Sequence, residues 1–266
     1  MATLDRLTAH GIELEVLRRG AGHPVLLLHG IMPLDPAAPV VDLLAAHAKI
    51  VAPSHPGFGG SPRPAAFDTI YDLVHLYRDV LDHLPDETVT LLGLSFGGWL
   101  AAEIAALGHP RVAALVLVDA VGIKVGDRET PDILDLFNTA PSIVEQRTWH
   151  DPARWAPDYD AMSDEALVAH ARNREALCLY AWDPYMYNPH LARWLGRIAV
   201  PTLVLWGASD RMVAPAYGRA FSALIPRARF ELIDAAGHHP HLEQPEIFVK
   251  RVVSFLEEVG PCRPGT

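Results

Sequence analysis

Short apolar runs bounded by glycine, proline or aspartate recur along the chain, at residues 24–28, 49–52, 89–92, 114–118, 200–205 and 229–233. Runs of Val, Leu and Ile this short and this continuous belong to strands buried on both faces of a parallel sheet. Residues 11–17 differ: Ile12, Leu14 and Val16 alternate with Glu13 and Glu15, the pattern of a half-exposed antiparallel edge strand. Between the runs the period changes to that of a helix. Over 69–84, Ile70, Leu73, Tyr77, Val80 or Leu81, and Leu84 fall on one stripe, Thr69 and Asp72 are spaced as a capping pair, and Pro85 stops the helix. A second helix over 99–107 runs into Gly108 and Pro110, and a third starts near Pro245 and ends at Gly260. Strands alternating with helices predict a doubly wound, mostly parallel α/β sheet.

One interval breaks the rhythm. Between the runs ending near Asp119 and starting at Val200 lie 80 residues, where a crossover needs about a dozen. Residues 121–197 hold four of the six tryptophans, and 163–182 has helical spacing through Leu167, Ala171, Leu177 and Tyr180. The expected organisation is a core of 1–120 and 198–260, a mainly helical lid inserted at 121–197, and a flexible tail at 261–266.

The balance of charge narrows the partners. With 22 basic against 32 acidic residues the net charge is -10, so no overall field draws the chain to nucleic acid or to an anionic membrane. Two cysteines, Cys178 and Cys262, make neither a disulfide framework nor a metal spacing. With no signal-like or membrane-length apolar run, the expectation is a cytoplasmic protein, monomer or homodimer, acting on a small molecule.

Candidate chemistry begins directly after the run at 89–92, where Gly93-Leu94-Ser95-Phe96-Gly97-Gly98 opens a helix. This is GxSxG in strand–turn–helix context: a serine at a tight turn stands clear of the sheet, and the helix N-terminus aims N–H groups at an incoming oxyanion. A nucleophilic serine needs a base, and the base an orienting acid. Asp210, in GASDRMVAP, and His238, in GHHPHLEQPE, each follow a later strand, so all three emerge at the carboxyl edge of the sheet. The His238, His239 and His241 cluster lacks the carboxylate and spacing of a zinc site, and no metal or cofactor is expected.

These three segments, in this order and spacing, resemble the α/β-hydrolase family over roughly residues 24–256, with 121–197 alone lacking a recognisable match. The resemblance implies that His238 is the base, with His239 and His241 as supporting or surface residues. It implies an oxyanion hole formed by the amides of Ile31, after Leu28-His29-Gly30, and Phe96, with His29 structural. Asp119, at the end of LVLVDA, is an alternative acid that fits less well than Asp210 in its loop motif. The stretch at 52–61 carries His55 where the family more usually has aspartate, a departure in a structural loop. Because the elbow residue is serine and not aspartate, epoxide opening and dehalogenation are disfavoured and acyl chemistry remains. The favoured expectation is hydrolysis of a small or medium apolar carboxylic ester, with Trp182, Tyr185 and Met186 of the lid lining the pocket. Alternatives are a carbon–carbon bond hydrolase of a diketone-like ring-fission product, a cofactor-free perhydrolase or lyase, and a non-catalytic ligand receptor on the same fold.

Overall fold

The computed structural model describes residues 4–127 and 129–260, so the tail expected at 261–266 lies outside the described residues. Eight strands form one sheet: β1 Leu4–Ala9, β2 Ile12–Arg19, β3 His23–Leu28, β4 Ala48–Pro53, β5 Val89–Leu94, β6 Val112–Val118, β7 Thr202–Gly207 and β8 Ala228–Ile233. Their spatial order is β1-β2-β4-β3-β5-β6-β7-β8; β2 is antiparallel to β1 and β4, and the other pairs are parallel. Every run read as a strand is a strand.

β1 has no apolar run to announce it, because it is an edge strand with only Ala9 buried. What makes it is the turn: Ala9 pairs with Ile12 across His10 and Gly11, both at positive φ (49° and 72°), the two-residue hairpin geometry that matches strand twist.

Along the parallel strands, alternate side chains enter opposite cores. Leu26, Leu28, Leu91, Leu115 and Val204 face one side, and Val25, Leu27, Leu92, Val116 and Leu203 the other. The first side is covered by α2 (Ile70–His83), α3 (Phe96–Leu107) and α8 (Pro215–Ala223), the second by α1 (Pro39–Ala45) and α10 (Pro245–Val259). In α2 the Thr69–Asp72 capping box forms as its spacing predicts. Leu73, Val80 and Leu81 of its stripe are fully buried. Burying each such side chain stabilises the fold by roughly 1.5–3 kcal/mol.

The interval between β6 and β7 carries α4 (Pro141–Thr148), α5 (Pro152–Trp155), α6 (Asp164–Ala181) and α7 (Leu191–Trp194). α6 is the helix predicted over 163–182: the Ser163 hydroxyl accepts the Ala166 N–H, and Trp182 is the C-cap. Only its C-terminal half is buried, and it reaches back to the core there, where Tyr180 O–H donates to the Pro56 carbonyl (3.2 Å) and Asn173 Oδ1 accepts the Gly59 N–H (3.0 Å). A last short helix, α9 (Pro240–Glu243), follows β8.

Candidate active site

Ser95 stands between β5 and α3 at φ 49°, ψ -111°, a strained region for a non-glycine residue that costs on the order of 1–3 kcal/mol. The end of β6 and the first turn of α3 hold it there: its N–H donates to the Val118 carbonyl (2.8 Å), and its carbonyl accepts from Gly98 N–H (2.9 Å) and Trp99 N–H (3.1 Å). A Cβ at Gly97 would collide with the carbonyls of Leu28 and His29, and one at Gly93 with the carbonyl of Gly97. Glycine at both positions lets the elbow sit against the end of β3.

The loops after β7 and β8 bring the other two residues to the same place. Asp210 Oδ1 accepts the N–H groups of Met212 and Val213, both at 2.9 Å, and Oδ2 accepts from His238 Nδ1 at 2.7 Å. With Nδ1 donating to a carboxylate, His238 Nε2 offers its lone pair to the Ser95 hydroxyl, 2.8 Å away. The side chains of His238 and Asp210 are withdrawn from solvent. His238 N–H donates to the Thr148 carbonyl (2.6 Å). Glu243 braces the same loop by accepting from Gly237 N–H (2.7 Å) and His150 N–H (2.8 Å). Asp119 lies behind them; burial and the neighbouring Asp210 push its carboxyl well above the usual carboxylate range.

The segment leading to Ile31 is fastened by a buried histidine pair. His55 N–H donates to His29 Nε2 (2.8 Å), so His29 carries its proton on Nδ1 and donates to the Gly30 carbonyl (2.7 Å). His55 Nε2 donates in turn to the His29 carbonyl (2.9 Å), and its Nδ1 accepts from Tyr77 O–H. The rings stack with centroids 3.8 Å apart. Burial drives both toward the neutral form, His55 down to about 4. Neither Ile31 N–H nor Phe96 N–H has a protein acceptor among the described residues.

A cavity of about 230 Å³ opens over Ser95, bounded on the core side by Ile31, Phe96 and His238. Of the three residues expected from the 121–197 segment, only Met186 lines it. Trp182 is 53% exposed and packs edge-on against Phe137 and Tyr185. Tyr185 turns to Leu134 and Leu136, donating to one carbonyl and accepting from the other N–H, both at 2.8 Å. These two expectations are corrected: Trp182 and Tyr185 pack on the segment at Leu134–Phe137, while Met186, at φ 59°, lines the cavity. His239 is neither remote nor at the surface; it lines the cavity beside Trp149, its basicity lowered by burial and by His238 and His241. His241 is buried as well.

The far wall holds polar groups that no sequence signal singled out. Glu145 on α4 accepts from Trp149 Nε1 (2.7 Å) and Tyr159 O–H (3.0 Å), and Tyr159 lies 3.4 Å from His170 Nε2 on α6. Burial and Glu145 push the Tyr159 hydroxyl up to about 12. Arg174, one helical turn after His170, also borders the cavity; its Nη2 donates to the Leu136 carbonyl (2.7 Å). It forms no salt bridge among the described residues.

The family model described as the alpha/beta hydrolase fold matches residues 23–245. The chain belongs to the α/β-hydrolase family. The hydrolase is 30% identical, over 93% of its length and 94% of the relative's, to a 2-hydroxy-6-oxo-2,4-heptadienoate hydrolase of Pseudomonas putida. It is also 30% identical to a 2-hydroxymuconate semialdehyde hydrolase of Pseudomonas sp. strain CF600, over 95% and 93% of the two chains. Its fold matches a solved meta-cleavage product hydrolase from Pseudomonas fluorescens with a TM-score of 0.77 at 21% identity, covering 96% and 98% of the chains. No helix of the hydrolase, among the described residues, is long and apolar enough to cross a membrane.

Proposed function

We propose that Ser95, His238 and Asp210 are the nucleophile, base and orienting acid of a serine hydrolase that transfers the acyl group of a small carbonyl compound to water. The observation that carries this reading is the unbroken hydrogen-bonded line from Asp210 through both nitrogens of His238 to Ser95 Oγ at the floor of the cavity. His238 takes the hydroxyl proton as Oγ attacks the carbonyl carbon, and the N–H groups of Ile31 and Phe96 receive the oxyanion. The proton then passes to the leaving group. Water, activated by the same imidazole, frees the acyl group as a carboxylic acid. Asp210 holds the tautomer and stabilises the transient imidazolium. Residues 121–197 act as a lid on a core of 1–120 and 198–260, with α4 and α6 supplying the outer wall of the pocket.

We assign the broken bond to the carbon–carbon bond beside the ketone of an oxo acid. Two observations support this: the relatives are named for an oxo-dienoate and a muconate semialdehyde, and Arg174 borders the cavity without a carboxylate partner. The guanidinium receives the substrate carboxylate, and the conjugated chain carries the electron pair released when the bond breaks, until His238 returns the proton to carbon. The second reading is a carboxylic ester, favoured by the apolar lining of Leu136, Val144, Leu177 and Met212. Assays with 2-hydroxy-6-oxo-2,4-heptadienoate and with p-nitrophenyl acetate, butyrate and octanoate separate the two. The oxo acid is expected to have the higher kcat/KM, and Arg174→Gln to raise its KM while sparing the esters. Faster ester turnover with no effect of Arg174→Gln supports the ester reading, and failure to turn over any of them supports a receptor.

A further inference from the structure

The C-terminal end of α4 is bonded to both loops that carry the candidate acid and base. Carbonyls in the last turn of a helix have no partner within it. Four in succession find donors here on the residues that adjoin or form the triad. Arg211 Nη2 donates to the carbonyls of Gln146 (2.5 Å) and Trp149 (3.0 Å), Arg211 N–H to that of Arg147 (3.1 Å), and His238 N–H to that of Thr148 (2.6 Å). The guanidinium also meets the negative end of the helix dipole. From the other side, His150 N–H donates to buried Glu243, whose second carboxylate oxygen accepts the Gly237 N–H beside the base. Contact there is close enough that a Cβ at Gly237 would collide with the Thr148 carbonyl. The same turn lines the cavity through Val144, Glu145, Thr148 and Trp149. The first half of α6, which completes the outer wall, is held differently: residues 164–169 are all exposed.

We propose that residues 145–150 are a splint within the catalytic machinery, with Arg211 and Glu243 as positioning residues that hold this turn between the Asp210 and His238 loops. The turn fixes the His238 backbone, and through it the imidazole 2.8 Å from Ser95 Oγ. A displacement of about 1 Å at such a site is enough to cost about 100-fold in rate. Loosening the splint therefore acts on proton transfer before it acts on binding, because α6 and the core still supply most of the apolar wall. The inference rests on the Ser95–His238–Asp210 reading given above.

Arg211→Met, Arg211→Lys and Glu243→Gln test it, each checked for folding by its Tm. The readouts are kcat and KM for p-nitrophenyl acetate and the rate at which diethyl p-nitrophenyl phosphate labels Ser95. Arg211→Met and Glu243→Gln are expected to lower kcat and the labelling rate by about 10- to 100-fold, with KM within about threefold of native. Arg211→Lys, which keeps a cationic donor for the two carbonyls, is expected to recover most of that loss. Native kcat and labelling in the folded variants overturn the proposal whatever their Tm, as does an Arg211→Lys protein no better than Arg211→Met. Amide hydrogen exchange of the native protein needs no variant to fold. The amides of His150, Arg211 and His238 are expected to exchange more slowly than those of residues 167–171; equal or faster exchange overturns the splint. Labelling also separates the two layers. A native protein left unlabelled at Ser95 removes the triad reading itself, whereas labelling at one rate in native protein and variants removes only the splint.

Discussion

Met186 and Trp182 stand four residues apart at the end of α6. Met186 turns into the cavity, while Trp182 rests half exposed on Phe137 and Tyr185. Replacing Met186 by Ala is expected to shift the chain-length preference among p-nitrophenyl esters by about tenfold, the ~1–3 kcal/mol of an altered apolar pocket contact. Trp182→Ala is expected to lower the Tm and keep the order of preference; a reordered series at native Tm would contradict the assignment. His55 gives a pH dependence. Its pKa is about 4 in the fold and near 6.5 when unfolded, so the unfolded chain takes up a proton first as pH falls. Its contribution is complete above pH 6.5 and is lost between 6.5 and 4, up to about 3 kcal/mol at ~1.4 kcal/mol per unit. The raised carboxyls of Asp119, Glu103 and Glu243 work in the opposite direction in the same window, so the readout is a difference. The urea midpoint of His55→Gln should fall less steeply than that of the native protein over this range, and equal slopes would contradict the account.

Among the elements, the loop carrying Ile133 and Leu136 into the cavity wall depends on partners distant in sequence. Tyr185 bonds Leu134 and Leu136, Arg174 bonds the Leu136 carbonyl, and Leu134 N–H donates to the Met212 carbonyl (3.0 Å). Tyr185→Phe removes two of these bonds, which predicts a loss of about 1–3 kcal/mol in urea unfolding. A stability equal to native would mean that the loop is held otherwise. The same contrast between local and distant determinants governs which elements were legible. The buried parallel strands were read from their runs, because burial on both faces writes itself into consecutive residues, and α2 from its stripe and cap. β1 was not, since its edge position buries almost nothing, nor α1 and α8, which are short and lack a side-chain cap. α6 was legible from its spacing but its burial was not: of the four residues that set that spacing, Leu167 and Ala171 are exposed, while Leu177 and Tyr180 are buried.

At the scale of the molecule, Ser95, Asp210 and His238 were readable together because parallel strands deliver their following loops to one edge, so three short motifs implied one place. The outer wall was not. Glu145, Tyr159, His170 and Arg174 come from segments with no common period and meet only through tertiary packing. His239 was legible as a cluster member, but not as a cavity residue. The proposed chemistry turns on the hydroxyl at the elbow, and the kcat/KM of Ser95→Ala with a p-nitrophenyl ester tests it most directly. A fall of about 10⁶-fold in a protein with native Tm is predicted, the scale seen when a serine nucleophile is removed elsewhere. Activity within tenfold of native in that folded variant would contradict it.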